Sequence, residues 1–95
     1  MSFRVEWSRS ATKDLLSIEK KQSLMIIKWV QENLEGCENP KAILGSKALQ
    51  GTKAGWRYRV GAYRLLTTIN DGALVIDVVR VGHRQGVYKN LPRGM

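Results

Sequence analysis

Apolar and polar residues alternate through Phe3, Arg4, Val5, Glu6 and Trp7, the period of two that sends a strand's side chains to opposite faces. The spacing then changes. Ala11, Leu15 and Ile18 recur on one helical stripe behind Ser8 and Ser10, either of which can cap a helix. After Lys20 and Lys21 a second helix carries Ile26, Ile27, Val30 and Leu34 along one face and ends at Gly36, the residue that most easily takes the left-handed C-terminal position. Two amphipathic helices with a short joint predict an antiparallel hairpin lying on a sheet. Residues 37–46, with Pro40 and Gly45, form a connector, and Ala48 and Leu49 open the next strand region.

The second half of the chain is strand-like. Trp56, Tyr58 and Val60 alternate with Arg57 and Arg59, and Tyr63, Leu65, Thr67 and Ile69 alternate with Arg64, Leu66 and Thr68. Gly61 and Ala62 make a tight link between the two strands. Asn70, Asp71 and Gly72 are a hairpin signal, because these residues tolerate the positive φ of a tight turn. Residues 74–81 form a β-branched run, apolar enough for a central strand. The expected order is β-α-α-β-β-β in a single α+β domain spanning residues 1–95, with no internal repeat and no linker.

Charge sharpens this picture. The 95 residues carry 16 Lys and Arg against 8 Asp and Glu, a net charge of +8. Residues 1–39 hold six basic and six acidic side chains, whereas residues 40–95 hold ten basic ones and only Asp71 and Asp77. So uneven a distribution points to a polyanionic partner held by the second half, nucleic acid being the commonest. The lone Cys37 excludes a disulfide framework and fits a reducing cytoplasm. With His83 as the single histidine, four-ligand zinc sites are excluded as well. The longest apolar runs, residues 24–27 and 73–76, fall far short of the ~18–20 residues of a membrane span. Arg4 and Glu6 interrupt any signal-peptide core, so a membrane role is not expected.

Alternation puts Arg57 and Arg59 on the sheet face opposite the helices, and the tight link brings Arg64 near them. If the last strand pairs alongside, it delivers His83, Arg84 and Tyr88 to the same sheet end. Such a cluster is costly when empty and favourable around a phosphodiester. Solvated arginines on an open sheet face are the plain alternative. Met25 and Trp29, one helical turn apart, read as core or core-edge residues rather than a docking patch. Cys37 lacks a neighbouring base and is a poor nucleophile. Asp71 belongs to the turn, and Asp77, inside the apolar run, is a candidate to balance a cluster arginine.

These blocks resemble the RelE/ParE superfamily of small toxins from type II toxin–antitoxin pairs. The resemblance covers nearly the whole chain: the first strand, the helix hairpin, Lys47-Ala48-Leu49-Gln50-Gly51, the run from Trp56 to Leu65, and the closing Val81-Gly82-His83-Arg84 with Val87-Tyr88. It implies a RelE-like fold and, for the RelE branch, metal-independent cleavage of mRNA in the ribosomal A site by attack of the ribose 2′-hydroxyl on the neighbouring phosphate. Arg57 and Arg59 then stand at the reactive phosphate, Arg64 where charge develops on the phosphorane, Arg84 at the departing 5′-oxygen, and Tyr88 against the substrate base. Lys47, Lys53 and Lys89 are candidate RNA contacts. The RelE branch carries lysines where this chain has Arg57 and Arg59. An arginine, with a pKa above about 12, does not serve as a free base, so their expected role is electrostatic. His83 is the conventional proton carrier left, unless it only packs at the strand end.

The same resemblance implies a cognate antitoxin with an acidic and apolar segment wrapping the basic face and helix groove. It also implies the ribosome and mRNA as targets, operator DNA bound only through the antitoxin, and no cofactor. Two other readings stay open: a ParE-like inhibitor of DNA gyrase without nuclease activity, and a DNA co-repressor acting beside its antitoxin.

Overall fold

A computed structural model of the chain describes residues 2–51 and 54–83. In chain order it contains strand β1 (Arg4–Trp7), helices α1 (Arg9–Ser17) and α2 (Lys20–Asn33), a 3-10 turn (Pro40–Ala42), and strands β2 (Lys47–Ala48), β3 (Gly55–Val60), β4 (Tyr63–Asn70) and β5 (Val75–His83). The α+β architecture is the expected one, with the short β2 added ahead of β3.

Ser8, not Ser10, caps α1: its Oγ accepts the Ala11 N–H at 2.9 Å and donates to the Val79 carbonyl at 2.7 Å. One hydroxyl thus starts the helix and fixes it to β5. Ser23 on α2 donates to the Leu15 carbonyl at 2.6 Å, joining the two helices and satisfying a buried hydroxyl. Gly36 takes φ +80° beyond α2, and its N–H donates to the Phe3 carbonyl at 2.8 Å. Phe3 donates in turn to the Cys37 carbonyl at 2.9 Å, and the Glu35 carboxylate accepts the Val5 N–H at 2.8 Å. The outer edge of β1 is therefore occupied by the helix exit.

The five strands lie in the order β1-β5-β4-β3-β2. Only β1 and β5 run parallel, which the two intervening helices make possible as a crossover. Gly61 (φ +59°) opens the two-residue link between β3 and β4, as the first position of a primed hairpin turn requires. The β4–β5 turn differs from expectation. Among residues 70–74 the positive φ (56°) falls on Leu74, while the Asn70 side chain accepts the Ala73 N–H at 3.0 Å. Asn70 shapes this turn through its side chain, not through left-handed backbone.

One sheet face packs on the helices. Ala11, Ile26, Val30 and Leu34 meet Tyr58, Leu65, Ile76, Val78 and Val81, all nearly or fully buried. A register shift between Leu66 and Thr67 lets Val78 and Val81, three residues apart, both face this core. Tyr58 is the largest core side chain; its hydroxyl donates to the Pro40 carbonyl at 2.6 Å, and its ring lies 5.9 Å from that of Trp29. Trp29 is therefore core-edge, whereas Met25 is 39% exposed. Burial pushes the Tyr58 hydroxyl pKa up, so it stays protonated throughout the physiological range. Burial also raises the Cys37 thiol, in keeping with an unreactive cysteine.

Candidate functional site

The second face carries the arginines. Register places Arg59 directly opposite Arg64, and Arg57 opposite Leu66, which in turn faces Arg80 on β5. Lys47 on β2 pairs with Arg57, so this exposed lysine extends the same basic row. Like charges placed directly across a strand pair destabilise it, by roughly 0.2–1 kcal/mol. A sheet that keeps Arg59 opposite Arg64 gives up stability at its hairpin end.

That end is concave. Arg59, Gly61, Ala62, Arg64 and His83 line a hollow of about 290 Å3. His83, the last residue of β5, pairs with Tyr63, and the two rings meet edge to face with centroids 5.4 Å apart. The tight Gly61–Ala62 link keeps the floor of the hollow to backbone and a methyl group, leaving room above it. Arg59 and Arg64 of the open face share this lining with His83, which alternation puts on the Tyr63 side at the strand end, and no Asp or Glu stands among its described residues. Arg57 lies half-buried on this row, and its Nε is buried without a hydrogen-bond partner.

The structure thus brings together Arg59, Arg64 and His83, with Arg57 and Lys47 on the adjoining rows. Lys53, Arg84, Tyr88 and Lys89 lie outside the described residues. Asp77 needs correction. It stands opposite Glu6 of β1, not beside the arginine cluster. Burial, then the charge and hydrogen bond of Glu6, raise the Asp77 carboxyl pKa, and the nearby cation is Arg4.

Sequence reasoning missed a second polar assembly. Beyond Val78 the outer edge of β5 has no partner from β1, which stops at Trp7. Asp14 of α1 takes that place: its Oδ2 accepts the Val81 N–H at 2.9 Å and the Arg80 Nε–H at 2.9 Å, while Oδ1 accepts from Nη2 at 3.2 Å. The two side chains are 17% and 25% exposed, shielded enough for a two-point charge-assisted pair to count. A signal did exist. Asp14 falls on the Ala11/Leu15/Ile18 stripe, where a charge must find a partner.

Among the described residues no group of three or more His, Cys, Asp or Glu side chains is placed to hold a metal ion. No helix among them is long and apolar enough to cross a membrane.

Two helices over a five-stranded sheet make a RelE-like α+β fold. A chain of the RelBE2 toxin–antitoxin complex from Mycobacterium tuberculosis superposes with a TM-score of 0.74 at 22% identity, over 88% of this chain and 100% of that one. A chain of the archaeal RelE–RelB complex from Pyrococcus horikoshii gives 0.71 at 25% identity, over 90% and 98%. In sequence, a protein named as toxin RelE1 from Methanocaldococcus jannaschii is 29% identical over 90 residues, covering 95% of this chain and 99% of that protein. The model of the ParE toxin family of type II toxin–antitoxin systems matches residues 5–88, and this chain belongs to that family.

Proposed function

We propose that this toxin is a ribosome-dependent endoribonuclease that cuts mRNA in the A site. The carrying observation is the hollow at the β3–β4 hairpin, where Arg59 and Arg64 face each other beside His83. Cleavage begins as the ribose 2′-oxygen attacks the adjacent phosphorus and loses its proton to a base. It ends as the P–O5′ bond breaks and the departing 5′-oxygen gains a proton. Between these points the phosphorane carries extra negative charge, which preorganised guanidinium donors stabilise. Arg59 and Arg64 supply that stabilisation, with Arg57 and Lys47 holding the flanking backbone. His83 exchanges the proton, since an imidazole can both accept and release one and a guanidinium does not give one up. Arg84 and Tyr88 complete the site at the leaving oxygen and the substrate base, and Lys53 and Lys89 contact RNA.

Outside the ribosome the toxin is held by a cognate antitoxin, as the RelB-containing complexes of its structural relatives support. The groove between α1 and α2, about 470 Å3 and lined by Leu15, Leu16, Ile18 and Ile27 with Lys20 at its rim, fits an apolar and acidic segment. Leu16, 82% exposed, and Leu24, 56% exposed, leave the surface of these helices unusually apolar.

Primer extension on cellular mRNA after induction tests the reading: new cuts within A-site codons are expected, and arrested growth without cuts would refute it. Arg64→Gln should abolish cutting and leave the fold intact. His83→Ala should slow cleavage by roughly 10²-fold or more, while a change below about threefold would assign His83 to packing. The ParE name of the matching family favours one second reading, inhibition of DNA gyrase. Stabilised gyrase–DNA cleavage and a DNA damage response, with mRNA uncut, would select it.

A further inference from the structure

We infer that Asp14 is a positioning residue for the active hollow, holding the end of β5 so that His83 keeps its place against Tyr63 in the lining of the hollow. The inference rests on the cleavage reading above and extends it to a residue outside the hollow. Its basis is geometry. β5 runs five residues past Val78, and along that stretch β1 no longer flanks it. A strand edge without a partner frays, because its N–H and C=O groups exchange with water. Here α1 substitutes for the missing strand with side chains. Ser8 takes the Val78 and Val79 carbonyls, through its N–H at 2.9 Å and its hydroxyl at 2.7 Å, and Asp14 takes the Val81 N–H at 2.9 Å.

The register shift at Val79 falls where that support begins. The extra residue bends β5 just before Arg80; beyond it residues 80–83 pair with β4 along their inner edge, and only the outer edge lacks a strand. Asp14 binds the Val81 N–H, two residues after the bend, and grips Arg80 at two points. Two residues further on stands His83, against Tyr63 and in the wall of the hollow. Loss of the carboxylate loosens the outer edge of this segment, and His83 shifts within the wall of the hollow.

The test compares Asp14→Ala with Tyr58→Phe, which loses a buried hydrogen bond to the Pro40 carbonyl on the helix-covered face and serves as a control for simple destabilisation. Both are assayed as full chains, at a temperature where each is folded. Single-turnover cleavage of ribosome-bound mRNA at saturating toxin should fall about tenfold or more in Asp14→Ala, with half-saturation little changed, and stay at the wild-type rate in Tyr58→Phe. In NMR spectra of the free proteins, the Gly82 amide and His83 ring resonances should move or broaden in Asp14→Ala only. Asp14→Glu should restore part of the rate. A rate within twofold of wild type, or unchanged Gly82 and His83 resonances, overturns the inference. If the wild-type chain cuts no RNA, the cleavage reading fails and the resonances alone decide the placement.

Discussion

Replacing Arg59 with Gln should make the protein more stable and less active. Arg59 and Arg64 sit directly opposite each other across the β3–β4 hairpin, where facing Cβ atoms are about 5 Å apart. Arg59 is exposed, so the repulsion acts largely through water: for a charge separation of roughly 7 Å, 332/(80 × 7) gives about 0.6 kcal/mol before screening. Gln keeps most of the side-chain length and removes the charge. For a domain of this size about 0.6 kcal/mol corresponds to a rise in Tm of roughly 2–5 °C. At about 10 mM ionic strength screening is weak, whereas at about 1 M, with a Debye length near 3 Å, the gain should nearly vanish. Thermal unfolding followed by circular dichroism at both salt concentrations reads this directly, and the same variant should lose RNA cleavage. A lower Tm at low salt, or a gain insensitive to salt, would refute the claim that the hairpin end is held under repulsion for the sake of an anionic ligand.

Three further outcomes follow from the packing and the charges. Tyr58→Phe removes the donor to the Pro40 carbonyl and leaves it unsatisfied, at about 1–2 kcal/mol, so Tm should drop by roughly 5–15 °C with toxicity retained in cells held well below that Tm. Asp77 has a raised pKa in the folded state, so its contribution to stability is full below the ordinary carboxylate pKa and is lost as pH rises through the raised value. Asp77→Asn should therefore stabilise the protein at neutral pH, by up to about 1 kcal/mol, and flatten stability measured against pH above the usual carboxylate range. Gly61→Val should lower both stability and cleavage, since a β-branched residue at φ +59° is strained and its Cβ would meet the Met25 side chain at 3.4 Å; unchanged unfolding and cleavage would contradict the turn's role in the hollow.

What could be read from the sequence was what depends on local periodicity. The alternation of Trp56, Tyr58 and Val60 with Arg57 and Arg59 assigns the two faces correctly, because strand geometry leaves no other choice. Gly36 marked the exit from α2 for the same local reason. Pairings between distant segments were not legible. The parallel neighbour of β1 decides that Asp77 faces Glu6, and the bend at Val79 decides that Val78 and Val81 share a face; neither leaves a trace in a period of two. Leu74 took the left-handed backbone expected near Asn70 and Gly72, since the Asn70 side chain already supplied the turn's hydrogen bond. Within the site, the arginine row was visible as a pattern. The pairing of Asp14 with Arg80 was visible only as two charges lodged in apolar stretches.

The most direct test of the account is a reconstituted cut: purified toxin added to ribosomes carrying an mRNA with a defined A-site codon, beside an otherwise identical mRNA with a single 2′-deoxy nucleotide at the scissile position. Attack by the 2′-hydroxyl predicts cleavage of the first, a 2′,3′-cyclic or 3′-phosphate end on the upstream fragment, and no cleavage of the second or by Arg64→Gln. Equal cutting of both messages, or none of either by a folded wild-type protein, would contradict it.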